Sequence, residues 1–192
     1  MKKKIIIMLS VLALTASSFF YSCGDKPAET VDAGDSVEQG ETASGNAAGS
    51  AVTNTAPDFT VKDSDDNNVK LSDKFGKPII VNMWATWCGP CLAELPAFNK
   101  LAQTYKDDIT FMMVNLTDGS YDTVDAVKEF ADNNGYTFPV YYDTEANASN
   151  AYSVFSIPLT IFIDENGNVK EQHTGTMSEE VLQGYIDDLL KK

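Results

Sequence analysis

Positive charge is scarce in this chain. Its 192 residues carry 14 basic side chains, every one a lysine, against 28 acids, a formal net charge of −14. Nucleic-acid affinity comes chiefly from cationic side chains meeting phosphates, so this balance argues against nucleic acid as a partner and predicts a soluble, acidic surface. Histidine occurs once, at His173, and cysteine three times, at Cys23, Cys88 and Cys91. A structural zinc site takes four ligands, so no metal is expected, and no motif calls for another cofactor. There is no internal repeat. The longest apolar stretch, Ile5 to Phe20, is shorter than the roughly 20 residues that span a bilayer comfortably. What is present, 43% hydrophobic and 22% charged residues, suits one globular domain with attachments.

The attachments lie at the front. Lys2–Lys4 form a positive segment, Ile5 to Phe20 an apolar one broken only by Ser and Thr, and Ser22 stands just before Cys23. This order resembles a bacterial lipoprotein signal. The resemblance implies a signal peptide over residues 1–22, lipid on Cys23, and an extracytoplasmic protein anchored to a membrane of the bacterial cell envelope. Two acyl chains on one cysteine are what stable anchoring requires. Residues 23–55 are Ala, Gly, Ser, Thr, Asp and Glu with almost no large apolar side chain. Such a segment cannot bury enough surface to offset its ordering entropy, and is expected to be a flexible acidic tether. The folded domain is expected over residues 56–192.

Within that domain, Asp58–Val61 and Asn68–Leu71 suggest short strands around an Asp- and Asn-rich turn. Pro78–Trp84 is a continuous apolar run, the mark of a strand covered on both faces. Cys91–Lys106 places Leu92, Leu95, Phe98 and Leu101 at helical spacing, and Ile109–Leu116 is a second buried strand. A helix over Thr123–Asn133 stops at Gly135, followed by a strand over Tyr136–Tyr142 and a short helix over Glu145–Tyr152. Leu159–Ile163 and Val169–His173 bracket Glu165-Asn166-Gly167-Asn168, a hairpin signal. Ser178 opens the last helix in a sequence close to a capping box. Alternating strands and helices closed by a hairpin and a helix predict an α/β sandwich with a mixed central sheet. The aromatics Phe111, Phe130, Phe138, Tyr141 and Phe162 are expected in the core, and His173 on a surface strand.

The chemistry concentrates in Trp87-Cys88-Gly89-Pro90-Cys91, where a buried strand gives way to a helix. A helix N-terminus has unpaired N–H groups and about half a positive charge, so it favours thiolate over thiol, and the thiolate is what attacks. Two cysteines separated by two residues can close a disulfide across the first turn. Gly89 permits the tight backbone, and Pro90 has a φ suited to a helix start. The expected mechanism is attack by Cys88 on a substrate disulfide, then attack by the more buried Cys91 on Cys88. A purely structural bridge is disfavoured, because so small a loop offers little chain-entropy stabilisation.

From Ala56 onward the chain resembles the thioredoxin superfamily, and in particular the membrane-associated TlpA/ResA-like reductases. The Trp-Cys-Gly-Pro-Cys motif carries the resemblance, with Ala56-Pro57-Asp58-Phe59, Leu71-Ser72 and Trp84-Ala85-Thr86-Trp87 in support. It implies a thioredoxin-like sandwich with an N-terminal strand pair and a helix–strand insertion over Asp122–Tyr142. It also implies that Ser156-Ile157-Pro158 is the cis-proline loop facing the cysteines, with the Ile157 backbone pairing with substrate. Thioredoxin's buried aspartate is here Asn82, which takes no proton. The resemblance points instead to Glu94, three residues after Cys91, as the group assisting its deprotonation, with a carboxyl raised by burial. Leu159 replaces a frequent threonine and, with Phe155, makes the groove apolar. The implied partners are exported disulfide-containing proteins and a membrane thiol carrier as reductant, in apocytochrome c maturation or general thiol repair.

Two other readings compete. A peroxiredoxin-like peroxidase would have threonine three residues before the reactive cysteine, where Ala85 stands. A non-catalytic lipoprotein using the fold as a partner-binding scaffold has no need of both Cys88 and Cys91.

Overall fold

The computed structural model describes residues 54–191; the expected signal peptide, the expected lipidation at Cys23 and all but residues 54 and 55 of the expected tether lie outside the described residues. Seven strands form one mixed sheet: β1 (Thr60–Lys62), β2 (Asn68–Lys70), β3 (Ile79–Trp84), β4 (Thr110–Asn115), β5 (Val140–Tyr142), β6 (Leu159–Ile163) and β7 (Val169–Thr174). Their order across the sheet is β2-β1-β5-β4-β3-β6-β7. Only the β3–β4 and β4–β5 pairs are parallel; the others run antiparallel. Four helices accompany it: α1 (Gly89–Thr104), α2 (Val124–Asn133), α3 (Asn147–Ala151) and α4 (Glu179–Leu190).

The unbroken apolar run of β3 follows from its place between β4 and β6, where all six residues are buried. Its side chains alternate between two cores. Ile80 and Trp84 join Phe98 and Leu95 of α1, Val127 of α2 and Leu182 and Ile186 of α4. Ile79, Val81 and Met83 face Phe59, Val61 and Leu71 at the N-terminal strand pair and Ala148 of α3. The expected core aromatics take these places, with Phe130 partly buried against the first cluster. The unit α2–β5 is the expected insertion, and β5 enters the sheet between β4 and β1.

Several boundaries shift for local reasons. α1 starts at Gly89 rather than Cys91, because Cys88 is its N-cap and the Leu92 N–H already bonds the Cys88 carbonyl at 3.0 Å. β5 is three residues long, not seven. Pro139 has no N–H for a ladder, and the N–H groups of Thr137 and Phe138 are taken by the Asn99 side chain at 2.7 and 3.2 Å. Ser178 caps α4 through the Val181 N–H at 3.3 Å, but a valine there cannot return the bond, so only half of a capping box forms.

The domain's first residues are bonded to the β6–β7 turn. The Val169 N–H reaches the Asn54 carbonyl at 2.8 Å, and the Ala56 N–H the Gly167 carbonyl at 2.8 Å. That turn follows Ile163, which pairs with Ile79 at the start of β3, whereas the cysteines follow Trp84 at its end.

Candidate active site

Cys88 and Cys91 are joined by a disulfide with Cα atoms 5.2 Å apart, across the first turn of α1. The Cys91 N–H points at the Cys88 sulfur, 3.2 Å away. Cys91 is fully buried and Cys88 only 5% exposed, so the difference between them is narrower than their positions suggest. Trp87, the residue before, is 55% exposed. Gly89 and Pro90 lie on the surface, and the Thr176 hydroxyl donates to the Pro90 carbonyl at 2.9 Å, tying the start of α1 to the loop before α4.

The loop ahead of β6 faces this pair. The Ile157–Pro158 bond is cis, and the Ile157 carbonyl oxygen lies 3.7 Å from the Cys88 sulfur. The Gly175 N–H fixes the loop by donating to the Pro158 carbonyl at 2.9 Å. Leu159 is buried, while Phe155, three residues before Pro158, is 98% exposed, so of the two only Phe155 offers apolar surface to solvent.

Beneath the cysteines lies a closed polar group. Glu94 is 1% exposed; its Oε1 accepts from Asn82 Nδ2 at 2.9 Å and its Oε2 from the Met177 N–H at 2.9 Å. Asn82 Nδ2 also donates to Thr160 Oγ1 at 3.0 Å, and its Oδ1 is buried without a partner. Burial pushes the Glu94 carboxyl above the ordinary glutamate value, and the bonds from Met177 and Asn82 only partly oppose it. Asn82 and Glu94 were expected from the sequence; Thr160, Thr176 and Met177 were not. A further buried carboxylate, Asp122, sits beside Thr86. His173 is half-buried on β7, with its ring 6.0 Å from that of Tyr185. Among the described residues no cluster of three or more potential metal ligands occurs.

A mixed sheet whose central strand delivers a cysteine pair to a helix N-terminus, opposite a cis-proline loop, defines a thioredoxin-fold protein of the thiol–disulfide class. The chain belongs to the Redoxin family, which it matches over residues 51–189. It is 38% identical over 140 residues to the thiol-disulfide oxidoreductase ResA of Geobacillus kaustophilus, covering 72% of this chain and 78% of that protein. A Chlorobium tepidum structure described as a thiol:disulfide interchange protein DsbE superposes with a TM-score of 0.65 at 31% identity, covering 72% of this chain and 97% of the other. The exposed lipoprotein thioredoxin of Streptococcus pneumoniae strain TIGR4 gives 0.59 at 29%, covering 68% and 98%. The activity is thiol–disulfide exchange, as the TlpA/ResA-like resemblance implied.

Proposed function

We propose that the chain works outside the cytoplasm as a reductase of disulfides in exported proteins, with Cys88 as the attacking and Cys91 as the resolving sulfur. The observation that carries this is the disulfide at the N-terminus of α1, with Cys91 buried and the Cys88 sulfur beside the Ile157 carbonyl. In the reduced state, the Cys91 N–H and the positive end of α1 favour the anionic form of the Cys88 sulfur. That sulfur attacks the substrate disulfide; a Cys88–substrate bond forms, and the other substrate sulfur leaves as thiolate. Cys91, its proton taken up with the help of Glu94, attacks the Cys88 sulfur, and the second substrate thiolate leaves. The substrate disulfide gains two electrons and two protons, and the pair ends oxidised. A membrane thiol carrier restores the dithiol by the reverse exchange.

Trp87, Phe155 and the backbone of Ile157 beside Pro158 offer an extended substrate strand an apolar groove. The Gly89-Pro90 pair is thioredoxin-like, which favours a reducing potential near thioredoxin's, about −270 mV, over the oxidant DsbA's, about −120 mV. Cleavage after residue 22, lipid on Cys23 and a tether from residue 23 up to the bonded Asn54 complete the reading, supported by the pneumococcal relative's being a lipoprotein. Cys23→Ala is then expected to move the protein from the membrane to the soluble fraction.

Insulin reduction with dithiothreitol as donor tests the assignment. The wild type is expected to turn over and Cys88→Ala to be inert. A wild type without activity, or with a potential near that of DsbA, overturns it.

A further inference from the structure

Asp122 is fully buried at the entry to the α2–β5 insertion, with no basic partner among the described residues. Its carboxylate is nonetheless well satisfied. Oδ2 accepts the Thr86 N–H at 2.8 Å and Asn115 Nδ2 at 2.8 Å, and Oδ1 accepts the Thr86 hydroxyl. Asn115 is the last residue of β4, paired in register with Trp84, the last of β3. Its own Oδ1 accepts from Thr117 Oγ1 at 3.1 Å. The turn leading to Asp122 is also fixed: Asp118 Oδ1 accepts the N–H groups of Ser120, Tyr121 and Asp122 at 2.7, 2.8 and 3.2 Å. One carboxylate thus joins the insertion, the end of β4 and the segment two residues ahead of Cys88.

We propose that Asp122 is a positioning residue for the redox pair. It holds the Ala85–Cys88 segment so that the Cys88 sulfur stays within reach of Cys91 when no covalent bond links them. This rests on the dithiol reading above and deepens it. In the oxidised state the disulfide itself keeps Cys88 at the helix start. In the reduced state and in the mixed disulfide that tie is gone, and the approach of Cys91 to Cys88 depends on how firmly the backbone before Cys88 is held. Ring closure is intramolecular, so its equilibrium reports an effective concentration of one sulfur at the other, which loosening the segment lowers. Nothing in this clamp uses the charge of Asp122. It uses two acceptor positions, one of which faces a hydroxyl that can itself accept.

That geometry separates clamp from charge. In Asp122→Asn the amide oxygen can take the Oδ2 position, accepting Thr86 N–H and Asn115 Nδ2, while the amide nitrogen donates to Thr86 Oγ1. Asp122→Ala removes every contact, and Thr86→Val removes only the hydroxyl leg.

The experiment equilibrates the full chain with reduced and oxidised glutathione and measures the equilibrium constant for forming the Cys88–Cys91 disulfide. Denaturation of each oxidised variant is followed in parallel. Asp122→Ala is expected to lower the constant about tenfold, equivalent to a potential about 30 mV more oxidising. Asp122→Asn is expected to stay within about twofold of the wild type, and Thr86→Val to fall between. An unchanged constant in Asp122→Ala overturns the proposal, and so does an Asp122→Asn shift as large as that of alanine. If the alanine variant does not fold, an unchanged constant in Thr86→Val overturns it instead. A wild-type pair that fails to exchange with glutathione strikes at the dithiol reading itself, and is recognised because it appears before any variant is compared.

Discussion

Asn82 on β3 and Glu94 on α1 meet across 2.9 Å with neither side chain exposed to solvent, amide to carboxylate. Under the mechanism proposed above, the asparagine positions the carboxyl and the glutamate takes the proton. Because burial is the leading influence on Glu94, its carboxyl lies above the ordinary value of 4.5. The folded chain therefore holds this proton more tightly than the unfolded chain. The stabilisation is fully present below the unfolded value and is lost as pH rises through the folded one.

Glu94→Gln removes the titration with little change of shape. The new amide can donate to Asn82 Oδ1, now without a partner, if the Asn82 carboxamide turns over. Reduction of insulin is expected to slow by about 10²-fold, the low end of what a positioned acid–base group contributes. The pH–rate profile is expected to flatten. The fall in stability above pH 4.5 assigned to this group should also vanish from denaturation curves. A variant whose profile matches the wild type removes Glu94 from the proton path.

Cys91→Ala should arrest exchange at the first step, because the buried resolving sulfur is missing while Cys88 keeps its helix N-terminus. Non-reducing gels of cells expressing it are expected to show adducts that collapse with dithiothreitol and are absent from Cys88→Ala,Cys91→Ala. Equal adducts in the double variant would place the attacking sulfur elsewhere.

Phe155 is almost entirely in solvent, so its removal has little to destabilise. Phe155→Ala is expected to change folding stability by no more than about 0.5 kcal/mol. Its kcat/KM for a protein disulfide should fall about threefold to tenfold, the loss of one apolar contact of about 1 kcal/mol. Reduction of a small aromatic disulfide reagent should be untouched. Equal loss on both substrates would mean that the side chain acts on the cysteines rather than on the partner.

Gly167, in the β6–β7 turn, has φ +83°, and a Cβ there would stand 2.6 Å from Cε2 of Phe75. Gly167→Ala is expected to destabilise the domain by about 2 kcal/mol or more, through the combined backbone and packing penalty. Exchange per folded molecule should be retained. Chemical denaturation read beside activity separates the two.

The legible parts were those where chemistry and spacing lie within a few residues. Cys88 and Cys91, the buried run of β3, the hairpin around Gly167 and the Ser178 cap each carry their own local signal, and the structure places them as expected. Glu94 was legible as a residue through the family resemblance, but its partners were not. The Met177 N–H comes from 83 residues away and Thr160 lies 78 residues from Asn82, and a backbone donor leaves no mark in the sequence. Asp122 was hidden for the same reason. In a chain with 28 acids, one more aspartate in a polar loop looks like surface, and only its distance to Thr86 distinguishes it. The length of β5 was misjudged because the Asn99 side chain, on a different element, takes the backbone donors a longer strand would need.

The bonds that pin Asn54 and Ala56 to the β6–β7 turn fix where the described chain enters the domain. They put the chain's point of entry at one pole and the reactive sulfurs at the other, separated by the length of β3, about 20 Å for six residues. The junction at Asn54 therefore leaves the face around Cys88 and Ile157 clear.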